Sequence, residues 1–230
     1  MIAVLAMLTG LGVVVWYLVA APGSQLLGPT IVRGPHAIPA VALTFDDGPG
    51  EDTAAILDTL KSTGARATFF LCGRNVERYP ELARRIAQDG HEIGNHTYAH
   101  PRLMGRSPGK LFLEIDRAQK VIEHHTGRAP ELFRPPYGLR WFGLFPILRQ
   151  LKMQAVMWSV NGRDWNTGPE EITQRILRQA HPGAIILLHD GLPPQDHGDR
   201  RATVQALPAI IRILGGRYRF VTVSEMQSRS

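Results

Sequence analysis

Leu43-Thr44-Phe45-Asp46-Asp47-Gly48-Pro49 sets two carboxylates directly behind the apolar run Ala40-Val41-Ala42-Leu43. Two acids at the mouth of a buried strand need a partner, and a metal ion is the usual one. Further along, His96-Thr97-Tyr98-Ala99-His100 supplies two imidazoles four residues apart, a spacing that lets both reach one ion from a single turn of backbone. One aspartate with two histidines describes an open catalytic metal site. Each motif alone has a plainer reading. Asp-Asp-Gly-Pro is often a strand-ending turn whose carboxylates bond their own backbone, and a histidine pair can be one helix cap and one packing residue. What points to chemistry is joint occurrence, which continues in Arg134-Pro135-Pro136-Tyr137-Gly138, in Asp164-Trp165 and in Leu187-Leu188-His189-Asp190.

Elements that would position these groups follow a repeated helix, glycine, strand grammar. Helices are expected over 52–61, 80–88, 111–125, 169–180 and 203–214, most of them stopping at a glycine: Gly64, Gly90, Gly127, Gly183 and Gly215-Gly216. All but the one ending at Gly127 are followed by a strand, namely Ala67–Leu71, Glu92–Gly94, Ala184–Leu188 and Phe220–Val223, and a further strand is expected over Ala155–Val160. Alternating strands and helices imply a mainly parallel sheet. A strand such as Ala184–Leu188, apolar on both faces, fits a sheet covered by helices or closed into a barrel. The two acids, the histidine pair, Arg134 and His189 all fall just after a strand, and Asp164 a little beyond one. In a β/α barrel that end is the rim where catalytic residues gather.

With its five motifs in order from about Pro39 to Met226, the chain resembles the polysaccharide deacetylase family, also called the NodB-homology or carbohydrate esterase 4 family. The resemblance implies an α/β fold, a distorted or incomplete (β/α) barrel of about seven strands. It implies one divalent ion, zinc first with Co2+, Ni2+ or Fe2+ as alternatives, held by Asp47, His96 and His100. It further implies Asp46 as general base, oriented by Arg134, and His189 as general acid, kept charged by Asp164. By the same resemblance the backbone N–H of Tyr137 holds the oxyanion, and Trp165 and Leu187 line the pocket for the acetyl methyl group. The implied substrate is an N-acetylated polysaccharide or oligosaccharide: peptidoglycan, a chitin-like oligomer or exopolysaccharide. Cleavage of O-acetyl esters, as on xylan, and silent glycan binding are the alternatives. The pattern departs at Asn161, three positions before Asp164, where the family usually carries a further acid.

In 230 residues there is room for one ordinary domain and an appendage. From Ile2 to Ala21 no side chain is charged, long enough for a helix across roughly 30 Å of hydrocarbon. The expected organisation is therefore a membrane anchor or signal over 1–21, a Gly/Pro-rich linker over 22–38, the catalytic domain over 39–226 and a tail over 227–230. An uncleaved anchor is favoured over a cleaved signal, because no basic residue precedes the apolar run and Pro22 is a poor residue to follow a cleavage site. Resemblance then puts the catalytic domain on the extracytoplasmic side. Cys72 is the single cysteine, so no internal disulfide forms, and its place in Ala67–Cys72 reads as core. The net charge of +6 suits an anionic envelope surface or solvated surface arginines, and needs no nucleic acid. Arg140-Trp141-Phe142-Gly143-Leu144-Phe145 offers aromatic faces for sugar rings or the membrane, with core packing as the competing explanation.

Overall fold

In the computed structural model, residues 12 and 15–228 are described. The strands are β1 (Thr30–Ile31), β2 (Ala40–Asp46), β3 (Ala67–Leu71), β4 (Glu92–Asn95), β5 (Leu132–Phe133), β6 (Gln154–Val156), β7 (Val160–Asn161), β8 (Ile185–His189) and β9 (Arg219–Phe220). Eight of them run side by side, all parallel, in the order β1-β6-β5-β4-β3-β2-β8-β7, while β9 adds to the start of β2. No ladder joins β7 to β1 among the described residues, which leaves a half-barrel.

Among the described residues it is flanked by α1 (Thr53–Thr63), α2 (Gly73–Arg78), α3 (Pro80–Gln88), α4 (Pro108–Thr126), α5 (Leu144–Gln150), α6 (Pro169–Gln179), α7 (Arg201–Gly215) and α8 (Val223–Gln227). Strand alternation divides the core in two. Val41, Leu43 and Phe45 of β2 pack outward with Phe69, Ile86, Ile186, Ile210 and other helix-facing residues, Phe45 and Phe69 stacking at 5.0 Å. The alternate row begins with Ala40 and Ala42, which pack inward with Phe70, Val156 and Ile185. Both faces are therefore apolar, as expected of a parallel sheet under helices.

Helix ends follow the glycine signals where these supply a left-handed residue, as at Gly64 (φ 67°) and Gly127 (φ 68°). Two expected strands differ. The run 155–160 divides into β6 and β7, with Ser159 and Asn161 turned to pair with β8. The strand expected over 220–223 ends at Phe220, because Thr222 and Glu225 form a reciprocal capping box that starts α8.

Of the helix expected over 1–21, residues 12 and 15–20 are helical and Ala21 is not, and the rest of that expectation lies outside the described residues. No helix among the described residues is long and apolar enough to cross a membrane. The stretch 22–38 lies along the barrel: β1 pairs with β6, Arg33 bridges Ala184, and the Gly34 N–H donates to the Gly183 carbonyl at 2.8 Å.

Candidate active site

Asp46 is the last residue of β2 and continues the inward row of Ala42 and Thr44. Its cross-strand neighbour in register is His189, the last residue of β8. A carboxylate and an imidazole are thus fixed at one level of adjacent strands. Asp47 leaves the strand at φ 70°, a left-handed conformation costing about 1 to 2 kcal/mol for a residue with a Cβ. That turn is held by Asn75, whose Nδ2 donates to the Asp47 carbonyl at 2.6 Å, and by the Cys72 N–H, which donates to Gly48 at 2.9 Å. Glycine is required at 48 because a Cβ there would run into the Asp190 carboxyl.

His96 and His100 come from a tight turn after β4. The buried Asn95 accepts from the Thr97 N–H at 2.8 Å, and Thr97 Oγ1 accepts from the His100 N–H at 3.1 Å. Thr97 and His100 are both left-handed (φ 68° and 54°). His96 Nδ1 lies 2.7 Å from the Arg134 carbonyl, which can only accept, so Nδ1 carries the proton and Nε2 offers its lone pair. Burial pushes the His100 pKa down to about 4, which keeps that imidazole neutral and able to ligate.

Asp47 Oδ1 is buried without a hydrogen-bond partner and lies 3.4 Å from His96 Nε2 and 3.2 Å from His100 Nε2. Burial alone would raise the Asp47 pKa, but the imidazoles of His96, His100 and His189 around it hold it below the ordinary carboxylate range. The three ligand atoms lie within 4.8 Å of one another. Zinc bonds of about 2.0 to 2.2 Å in a tetrahedron give ligand–ligand edges of about 3.4 Å, so this donor set fits a divalent ion.

Two buried ion pairs border the cluster. Arg134 Nη1 donates to Asp46 Oδ1 at 2.7 Å and to Thr44 Oγ1 at 2.8 Å, while Nη2 donates to the Met157 carbonyl at 2.9 Å. Asp46 Oδ1 is thereby occupied, and Oδ2 lies 3.9 Å from His96 Nε2. On the other side of β2, Asp164 Oδ1 accepts from His189 Nδ1 at 2.8 Å, and Oδ2 accepts from the His189 N–H at 2.8 Å and from Thr203 Oγ1 at 2.6 Å. Burial would lower the His189 pKa, but Asp164 outweighs it and pushes the imidazole up to about 9. Its Nε2 remains for another partner.

A cleft of about 540 Å³ unites Asp46, Asp47, His96, His100, Tyr137, Trp165, Leu187 and His189, every site residue anticipated from the motifs except the buried Arg134 and Asp164 behind them. Trp165 is exposed and meets His189 edge-on at 5.5 Å, whereas Leu187 is buried in the wall. Asn161 also lines the cleft, but its carboxamide accepts from the Arg163 N–H at 2.9 Å, and the carboxylate partner of His189 is Asp164 alone.

Asn75, Asn95 and Thr203 had no part in the motif reading, and Asp190 stood in a motif without a role. Their hydrogen bonds, mostly made across the fold, are invisible as spacing. Asp190 is the one with a local signal, its place beside His189; buried and bonded to Thr53 Oγ1 at 2.6 Å, its pKa is raised by burial to about 7. His197 lines a separate polar hollow beside the cleft. Leu144 and Phe145 pack in the core, while Phe142 is exposed.

A family model described as polysaccharide deacetylase matches residues 33–156, more than half of the chain. The chain belongs to the polysaccharide deacetylase family. Among curated relatives, a chitooligosaccharide deacetylase of Azorhizobium caulinodans is 39% identical over 187 residues, covering 77% of this chain and 89% of the relative. A peptidoglycan-N-acetylglucosamine deacetylase of Bacillus cereus is 39% identical over 196 residues, covering 84% and 70%. Among solved structures, the peptidoglycan N-acetylglucosamine deacetylase Bc1960 superposes with a TM-score of 0.82 at 37% identity, covering 87% of this chain and 94% of that one. BA3943 of Bacillus anthracis, a pseudoenzyme of carbohydrate esterase family 4, superposes with a TM-score of 0.79 at 31% identity, covering 86% and 68%. The family is the one its five motifs resemble, and its fold is the half-barrel described above.

Proposed function

We propose that this polysaccharide deacetylase hydrolyses the N-acetyl groups of an aminosugar polymer or oligomer, with peptidoglycan and chitin-like chains as the leading substrates. The observation that carries this reading is the convergence in one cleft of a buried Asp/His/His cluster, a carboxylate tied to Arg134 and an imidazolium tied to Asp164. The names of the relatives support the substrate class.

A divalent ion held by Asp47, His96 and His100, zinc first on this two-nitrogen, one-oxygen donor set, supplies Lewis acidity that acidifies a water and polarises a carbonyl. Asp46 is the general base: Arg134 holds Oδ1, leaving Oδ2 to take the proton from water in the cleft. As the acetyl carbonyl oxygen gains charge, the backbone N–H of Tyr137, aimed by a left-handed turn (φ 58°), donates to it. Trp165 and Leu187 border the space for the methyl group. His189 gives its Nε2 proton to the departing amine, because an amide anion is a very poor leaving group, and Asp164 keeps the imidazole charged until then.

Acetate release from N-acetylglucosamine oligomers and from peptidoglycan, stopped by chelator and restored by zinc, tests the reading. Hydrolysis of O-acetylated xylan alone would move the activity to esters, and bound metal without turnover on any of the three would leave a glycan-binding protein. The pseudoenzyme BA3943 shows that the fold tolerates silence. The uncharged run from Ile2 to Ala21 supports placing the enzyme at the cell envelope by an N-terminal anchor, and fractionation of producing cells tests that.

A further inference from the structure

Five residues separate two arginines that are the largest fully buried side chains among the described residues. Arg134 is absorbed by the site. Arg140 is not: it is 1% exposed, and no carboxylate pairs with it among the described residues. Its partners are carbonyls at the end of the N-terminal helical turns. Nη1 donates to Ser24 at 2.6 Å, Nη2 to Ala21 and Nε to Val19 at 3.4 Å, while the Arg140 backbone N–H donates to Val19 at 3.0 Å. Val19 and Ser24 are themselves buried. Val19 lies in the last turn of helical residues 15–20, where carbonyls lack intrahelical donors and carry the negative end of the helix dipole, and Ala21 and Ser24 follow it in the turn beyond.

Between the two arginines lies the turn that carries Tyr137, left-handed at φ 58° and closed by Gly138 N–H to Pro135 and Leu139 N–H to Pro136 bonds of 2.9 and 3.0 Å. A non-glycine residue stays in that conformation only where its surroundings over-determine it. Arg134 pins one end of the turn to β2 and to the β6 exit. Arg140 pins the other end, and what it is pinned to is the N-terminal segment.

We propose that Arg140 is a positioning residue that ties the turn carrying Tyr137 to residues 19–24, and that the segment ahead of Pro22 is therefore retained in the working enzyme. A cut between Ala21 and Pro22 would remove the Val19 carbonyl, which accepts from Arg140 twice, and the Ala21 carbonyl, leaving Ser24 alone to face a buried cation that cannot shed its proton. The coupling to turnover rests on the reading of Tyr137 as oxyanion donor; retention of the segment does not.

Intact mass and N-terminal sequencing of the protein isolated from producing cells test retention, with Val19 to Ser24 expected in the active protein. An active protein that starts at Pro22 overturns it, whether or not acetate release supports the deacetylase reading. The full chain carrying Arg140→Gln and Arg140→Lys tests positioning through kcat, KM, zinc content and Tm. The expected result for Arg140→Gln is a kcat lowered about tenfold or more, short of the roughly 10² to 10³ for outright loss of an oxyanion donor. Its KM should stay within about twofold, its zinc unchanged, and Arg140→Lys should recover part of kcat. A lowered Tm with kcat intact in both variants would make Arg140 a stabilising residue only and overturn the positioning role; if Arg140→Gln does not fold, a full wild-type kcat in Arg140→Lys overturns it.

Discussion

Replacing Asp164 by Asn should shift the alkaline limb of the pH–rate profile toward acid and leave the acid side almost untouched. In the native site Asp164 holds His189 up to about 9 against the downward push of burial. Removing the charge leaves burial against the smaller pull of Asp47 and Asp46 and brings the imidazole back toward its ordinary value of about 6.5. The general acid must be protonated, so its contribution is full below its pKa and is lost as pH rises through it. At pH 7.5 the protonated fraction is about 0.97 for a pKa of 9 and about 0.09 for 6.5, a loss of about tenfold in kcat/KM. The same carboxylate accepts from the His189 N–H and from Thr203 Oγ1, bonds an Asn oxygen can retain, so the fold should survive. The assay is kcat/KM for acetate release from an N-acetylglucosamine oligomer between about pH 5 and 10. An alkaline limb that stays in place in Asp164→Asn would refute the assignment of His189 as the acid.

Asp46→Asn should keep zinc, measured by elemental analysis, while acetate release falls by about 10² to 10⁴, the range for loss of a general base. His100→Ala should lose both, with zinc affinity reduced beyond the about 10- to 100-fold that loss of an outer partner costs; full occupancy in that variant would sink the ligand assignment. Arg134→Met leaves Asp46 buried without its partner, and urea unfolding should show about 3 to 5 kcal/mol of lost stability. Cys72→Ala should leave kcat within about twofold, since the thiol is fully buried with its pKa raised by burial and then by Asp47 and Asp46, and it takes no part in the chemistry.

The longer helices and strands were legible because most of those helices end near a glycine and strands such as Ala67–Leu71 and Ile185–His189 are largely apolar runs; the two-residue strands Thr30–Ile31 and Leu132–Phe133 carry no such mark. What stayed hidden needed partners distant in the chain. The segment 22–38 reads as a tether by composition, yet its backbone finds β6, Ala184 and Arg140, none of which leaves a trace in its own residues. Gly73–Arg78 and Leu144–Gln150 are too short to show a period, and their helices come from tertiary packing. The acids and imidazoles were legible because chemistry restricts residue type; the hydroxyl and amides that hold them, Thr203, Asn75 and Asn95, act through ordinary hydrogen bonds, which many residue types can make.

Adjacent identical residues acquire separate tasks at Asp46 and Asp47 through backbone geometry alone. In an ideal strand they would point to opposite faces, one inward and one among the helix-packing residues that end with Phe45. The left-handed turn at Asp47 cancels that alternation and returns the second carboxylate to the rim. There it meets His96 and His100, while Asp46, still in the strand, meets Arg134. An acid facing two neutral imidazole lone pairs is arranged for a cation, and one already paired with a guanidinium at a single oxygen is arranged for a proton on the other. Exchanging the tasks would require moving Arg134 or the His96 turn. A swap test follows: Asp47→Asn should release the metal, and Asp46→Asn should not. Equal loss of metal from both variants would show that the two carboxylates share the ion and that the division of labour is wrong.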